Sequence, residues 1–182
     1  MRLGIDLDGV VADFTKGWVM RYNAEHGTNV AESDVTSWGA MITLTHFEDM
    51  GQFWRWVANG EGPSLFRTLP TYPGAVEAMH RLHHDHEIVI LTTKPDFAIA
   101  DTNEWLAEND VPYDELHITD EKWRIPCDVY LDDSPDQIAE LTLERPDRVV
   151  CRYVRPWNRS HAGARDIHDW DEFVALVDRV WC

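Results

Sequence analysis

The sequence predicts an α/β fold: a doubly wound, parallel, Rossmann-like sheet with a small helical cap inserted after the first strand. Three observations predict it. Continuous apolar and β-branched runs, such as Glu87-Ile88-Val89-Ile90-Leu91-Thr92 and Val149-Val150-Cys151, read as strands buried on both faces, the mark of parallel pairing. From Pro70 onward such runs alternate with segments of helical periodicity, as successive crossover units require. Before that alternation, residues 14 to 71 show helical spacing and no strand pattern.

The first element is Leu3-Gly4-Ile5-Asp6-Leu7, a strand that stops at Asp8-Gly9, a turn dipeptide able to visit positive φ. Phe14, Trp18 and Tyr22 then recur every fourth residue beside Val19, giving an amphipathic helix that ends near Gly27. A polar link leads to Trp38. Thr45-His46-Phe47-Glu48 has the form of a capping box, opening a helix with Met50, Phe53, Trp54 and Val57 that runs to Gly60. Gly60-Glu61-Gly62-Pro63 is a loop by composition.

The α/β pattern resumes at Pro73-Gly74 with a helix carrying Val76, Met79 and Leu82 on one face. The strand at 87–93 follows, stopped by Pro95, then a helix around Trp105-Leu106 and a short strand at 116–118. Asp128-Val129-Tyr130-Leu131-Asp132-Asp133 is a strand ending in paired carboxylates. Pro135 to Leu143 is a helix, 148–153 a buried strand, and Asp169 caps a last helix with Phe173, Leu176, Val177 and Val180 as its stripe. The expected boundaries are a core of residues 1–13 and 72–182 and a cap of residues 14–71.

Length allows one buried core plus a modest insertion. Nine Trp, five Tyr and six Phe in a chain that is 44% hydrophobic exclude disorder, and no apolar run is long enough to span a bilayer. A formal charge of −17 repels polyanions and argues against a nucleic-acid polymer as partner, and no membrane partner is expected. A local basic pocket for one phosphate stays compatible with it. Oligomeric state is not legible, with a homodimer left open. Cys127, Cys151 and Cys182 are odd in number and widely spaced, as free thiols are. The first strand starts at once, leaving no room for a signal peptide, so a cytoplasmic location is expected.

Ligands of open parallel sheets bind beyond the carboxyl ends of the strands, and the chemistry gathers there. Asp6 and Asp8 end one strand, Thr92 and Thr93 another, Asp132 and Asp133 a third, with Lys122 between the last two. Asp6 and Asp8 would share a face of an extended strand, where like charges call for a cation such as Mg²⁺. A plain Asp-Gly turn is the alternative. His80, His83, His84 and His86 look like a metal cluster but read better as solvated residues on a helix's outer turn. Trp54, Trp105 and Trp181 lie on apolar stripes and read as core, whereas Trp38, in a polar stretch, reads as a substrate contact. Lys94 either reaches a phosphate or is solvated.

Asp6-Leu7-Asp8, Leu91-Thr92, Lys122 and Asp132-Asp133 resemble the four motifs of the haloacid dehalogenase superfamily of phosphohydrolases. Asp8 to Phe14, Phe66-Arg67-Thr68-Leu69-Pro70 with Pro73-Gly74-Ala75, Thr92-Thr93, Leu131 to Asp136 and Pro156-Trp157-Asn158 are similar to its 5′(3′)-deoxyribonucleotidase branch. The resemblance implies a phosphomonoesterase that forms an aspartyl-phosphate on Asp6, with Asp8 as general acid and then base. It implies Mg²⁺ held by Asp6, Asp132 and the Asp8 backbone carbonyl, with Lys122 balancing charge and Thr92 holding phosphate oxygens. Asp133 is expected to orient Lys122 or a metal-bound water. The expected substrate is a deoxyribonucleoside 5′-monophosphate, contacted by Phe14, Trp38, Phe66, Thr93 and Lys94. Ser134 stands where animal members have Arg, and Lys94, Arg155 and Arg159 are candidates to replace it. The competing readings are a 3′-phosphatase on nucleic-acid ends and a catalytically inactive binding module.

Overall fold

The computed structural model describes residues 1–60 and 62–181, with only the backbone of Trp181; Glu61, the Trp181 side chain and Cys182 lie outside the described residues. In chain order come β1 (Arg2–Ile5), α1 (Phe14–His26), α2 (Ala40–Thr43), α3 (Met50–Ala58), α4 (Ala75–His83) and β2 (Glu87–Thr92). Then follow α5 (Ile99–Glu108), β3 (Glu115–Ile118), β4 (Val129–Asp132), α6 (Pro135–Glu144), β5 (Val149–Tyr153), β6 (Ala164–Ile167) and α7 (Trp170–Trp181). All pairings are parallel and the strand order is β3-β2-β1-β4-β5-β6. Strand addition therefore reverses at β1, and the crevice between the ends of β1 and β4 is the switch point where such sheets bind ligands.

Strand alternation sends Leu3, Ile5, Ile88 and Ile90 into a core shared with α4, α5 and α7, and sends Val89, Leu91, Tyr130 and Val150 toward Ile138 and Leu141 of α6. Gly4 faces the second side, where a Cβ would lie 2.8 Å from Leu91 Cδ1, so the close layer demands glycine.

The inserted segment leaves and re-enters at one place. Asp13 N donates to Pro70 O (2.8 Å) and Tyr72 N to Val11 O (2.9 Å), laying the two limbs side by side. Between them the segment is helical and aromatic, with Phe53 and Val57 of α3 and Trp18 and Tyr22 of α1 buried together.

Four local expectations are corrected. The capping box expected at Thr45 to Glu48 does not cap α3; Asp49 does, its Oδ1 accepting from Gln52 N at 2.8 Å. Thr45 Oγ1 instead donates to Met41 O, closing α2, because a carboxylate three residues before Gln52 is the stronger acceptor. His86 is buried rather than solvated. Trp54 is only partly buried and lines a cavity, while Trp105 is buried with its indole donating to Leu69 O at 2.7 Å. Val180 stays 37% exposed, off the buried stripe of α7. One strand is absent from the reading: β6 has four residues, two of them charged, and its inner neighbour pairs Arg152 with Asp166. Charged side chains suit an edge strand but erase the apolar run by which a strand is read.

Candidate active site

Pairing alone brings the acids together. Asp6 continues β1, its N donating to Leu131 O at 3.0 Å, and Asp132 ends the neighbouring β4. Lys122 starts a 3-10 turn after β3, whose register with β2 sets Ile118 beside Thr92. Asp6, Thr92, Lys122, Asp132 and Asp133 are all buried. Lys122 Nζ lies 2.6 Å from Asp132 Oδ2 and 3.0 Å from Asp6 Oδ2. The other oxygens are held by the backbone: Leu7 N donates to Asp6 Oδ1 and Ser134 N to Asp132 Oδ1, each at 2.8 Å. Trp157 Nε1 donates to Asp133 Oδ2 at 2.7 Å, and Asn158 Nδ2 to Asp133 O at 2.7 Å.

One oxygen from each of Asp6, Asp132 and Asp133 lies within 4.8 Å of the others. Three carboxylates around one ammonium leave excess negative charge in a buried place, and the titration tendencies record it. Burial, reinforced by the charges of Asp6 and Asp132, pushes Asp133 well above the carboxylate range. Burial lifts Asp132 to about 6 against the pull of Lys122. For Lys122 burial acts downward, but Asp132 and Asp6 overcome it and hold the ammonium above its ordinary value. An all-oxygen, over-charged donor set fits a hard divalent cation such as Mg²⁺. Gly9 completes the fit: its φ is +80° and a Cβ there would stand 2.2 Å from Asp133 Oδ2, so only glycine lets the turn approach the cluster.

Asp8 belongs to a different part of the site. Its Oδ2 accepts from Lys94 Nζ at 2.5 Å, its Oδ1 has no partner, and burial raises its pKa despite Lys94. Lys94 is therefore not solvated; its side chain is buried, with Nζ 4.3 Å from the centre of the Phe66 ring. Thr92 Oγ1 is likewise buried and unpartnered.

A cavity of about 500 Å³ opens beside these groups, lined by Asp8, Gly9 and Asp133 and walled by Phe14, Trp38, Trp54, Phe66 and Trp157. Of the sequence-predicted substrate contacts, Phe14, Trp38, Phe66 and Thr93 line it and Lys94 does not. Phe14 and Phe66 stack at 5.5 Å, and Trp54 lies parallel to Phe66 at 6.4 Å, 9° between planes. Trp38 is 50% exposed and 6.4 Å from Trp157 across the mouth. Sequence reasoning missed Trp54 and Trp157 as cavity walls; the Pro156-Trp157-Asn158 motif was visible, but not the indole's bond to Asp133. Arg155 and Arg159 do not line the cavity, though Arg155 bonds the carbonyl of Gly9, which does. Ser134 has a role of its own as the cap of α6.

Comparison with known proteins agrees with this geometry. A Chlorobaculum tepidum protein provisionally named 5′(3′)-deoxyribonucleotidase is 28% identical over 76% of this chain and 72% of its own length. A Clostridium acetobutylicum 5′(3′)-deoxyribonucleotidase is 25% identical over 97% of this chain and 94% of its own. Among solved structures, a haloacid dehalogenase-like hydrolase from Streptococcus pneumoniae superposes with a TM-score of 0.63 at 11% identity, covering 97% of each chain, which speaks for the fold alone. Residues 1–181 match the family described as 5′ nucleotidase, deoxy (Pyrimidine), cytosolic type C protein. With its haloacid dehalogenase fold and its match over nearly every residue, the chain belongs to the NT5C family of 5′-nucleotidases.

Proposed function

We propose that this phosphoric monoester hydrolase cleaves deoxyribonucleoside 5′-monophosphates to nucleoside and phosphate, through an aspartyl-phosphate on Asp6 and with Mg²⁺ as cofactor. The observation that carries the reading is the Asp6 carboxylate, buried beside Lys122 and Asp132 at the switch point, next to an aromatic cavity large enough for a nucleoside. Asp6 Oδ1 is held by the Leu7 amide, and Oδ2, paired with Lys122 Nζ at 3.0 Å, is the oxygen that attacks phosphorus. Asp8 delivers a proton to the departing ribose oxygen; its raised pKa supports that role. It then takes a proton from the water that cleaves the intermediate. Lys122 balances charge on the phosphoryl group, and the unpartnered Thr92 hydroxyl donates to one of its oxygens. Asp6, Asp132 and Asp133 would hold Mg²⁺, with the Asp8 carbonyl as a further ligand, and the bound cation would supply charge against the repulsion between carboxylate and phosphate dianion. Lys94, beside Asp8, balances charge when the phosphate enters.

Residues 14–71 act as the cap that reads the rest of the substrate. Phe14 and Phe66, on its two limbs, and Trp38 supply faces on which a base stacks, at about 1 to 3 kcal/mol per base. A largely apolar pocket leaves a 2′-hydroxyl unpaired, which favours deoxyribose by about tenfold or more. The test compares kcat/KM for dUMP, dTMP, UMP, dAMP and a 3′-phosphorylated oligonucleotide, in the wild type and in Phe14→Ala and Phe66→Ala, with Mg²⁺, with Ca²⁺ and after chelation. Deoxynucleotides should lead, both alanines should erode that lead over an aryl phosphate, and activity should need Mg²⁺. Preference for the oligonucleotide would favour a nucleic-acid 3′-phosphatase; turnover surviving chelation would remove the metal assignment.

A further inference from the structure

We propose that Arg155 is a positioning residue: it pins the two limbs of the inserted segment to the sheet and holds the Asp8-Gly9 turn in place for proton transfer. The inference rests on the phosphomonoesterase reading above. Arg155 Nε donates to Gly9 O at 2.6 Å. Its guanidinium carbon lies 3.8 Å from the centre of the Tyr72 ring and 4.1 Å from that of Tyr153. These partners belong to three pieces of chain. Gly9 is on the outgoing limb, Tyr72 on the returning limb, where its N bonds Val11 O, and Tyr153 ends β5. One planar side chain therefore joins both limbs to the sheet.

The backbone of Arg155 is anchored as well. Its N donates to Asn158 Oδ1 at 3.0 Å, and Asn158 Nδ2 donates to the Asp133 carbonyl at 2.7 Å. The pin thus stands on the same support as the acidic pair. A guanidinium can stack on aromatic faces and donate along its edge at once, which a lysine ammonium cannot do. Arg155 Nη2 is buried without a partner, while Nε bonds Gly9 O and the guanidinium meets both tyrosine rings.

Gly9 follows Asp8 directly and presses against the Asp133 carboxylate. Holding its carbonyl from outside the cavity keeps the Asp8 carboxyl at the distance the leaving oxygen needs, and a misplacement of about 1 Å can cost on the order of 10²-fold in rate. The effect depends on the leaving group. An alkoxide must be protonated as it departs, whereas a nitrophenolate leaves nearly unaided.

The experiment measures single-turnover release of nucleoside from a deoxynucleoside 5′-monophosphate and of nitrophenol from p-nitrophenyl phosphate, in the wild type, Arg155→Lys and Arg155→Met. Expected is a loss of about tenfold to 10²-fold on the nucleotide and of under about threefold on the aryl ester. In a further variant, Arg155→Ala, millimolar guanidinium should restore part of the nucleotide rate, and no restoration there counts against the pin. Equal losses on both esters, or no loss on either, overturn the inference while the phosphatase reading stands. A wild type that releases nothing from either ester overturns both. If the Arg155 variants unfold, Tyr72→Leu decides, since it removes one stacking face and leaves Arg155 in place: a selective loss on the nucleotide supports the pin, an even loss overturns it.

Discussion

At Asp133 burial and charge work against folding. Asp132 and Asp133 have pKa values raised in the folded protein, so the metal-free fold is favoured when they are protonated. That contribution is full below the ordinary 3.8 and is lost as pH rises through the folded values, about 6 for Asp132. Metal-free protein should therefore melt lower at pH 8 than at pH 6. Asp133→Asn should raise the pH 8 melting temperature and flatten the trend, at about 2–4 °C per kcal/mol relieved, because the amide oxygen can still accept from Trp157. Calorimetry in chelator across that pH range checks it; a destabilised Asp133→Asn would contradict it. Asp6→Asn should keep the fold and lose turnover, with Asp8→Asn severely impaired. Single-turnover phosphate release beside thermal unfolding tests this once deamidation is excluded. Residue identity at these sites was legible because carboxylates and hydroxyls at strand ends are rare enough to stand out. Lys94 was not, because its partner Asp8 lies 86 residues away in sequence.

Among the elements, strands with long apolar runs were readable and β6 was not. The helix starts that were read fall within about a turn, and α3 shows the limit: Thr45 and Asp49 both have a Glu or Gln three residues on, and the Asp49 carboxylate, the stronger acceptor, takes the cap while Phe47 packs against Phe53 and Trp56. Asp49→Ala should cost about 1 kcal/mol in chemical denaturation and Glu48→Ala less than about 0.5. Equal costs would restore the earlier start. The limb at Gly9 is more sensitive. Gly9→Ala meets both a φ of +80° and the Asp133 carboxylate, and should lower stability and turnover together.

For the whole molecule, burial of Cys127 and Cys151 in the sheet layer raises both thiols to about 12. Pulsed alkylation of these two, read by mass spectrometry, should proceed at one common rate set by global unfolding and be slowed by Mg²⁺ through mass action. Fast labelling of either in native protein would show a local opening. No helix among the described residues is long and apolar enough to cross a membrane. By itself the sequence determined the parallel sheet and the acids and hydroxyls at three strand ends, because periodicity and turn chemistry are local and each element carries its own signal. Tertiary structure alone decided that Asp133 joins the carboxylate cluster, that Lys94 pairs with Asp8, that Trp157 bonds Asp133 and that Arg155 grips Gly9 between two tyrosines. Each of these contacts joins residues far apart in the chain, and what brings them together is strand order and the crossing of two limbs, for which no local pattern of residues is required.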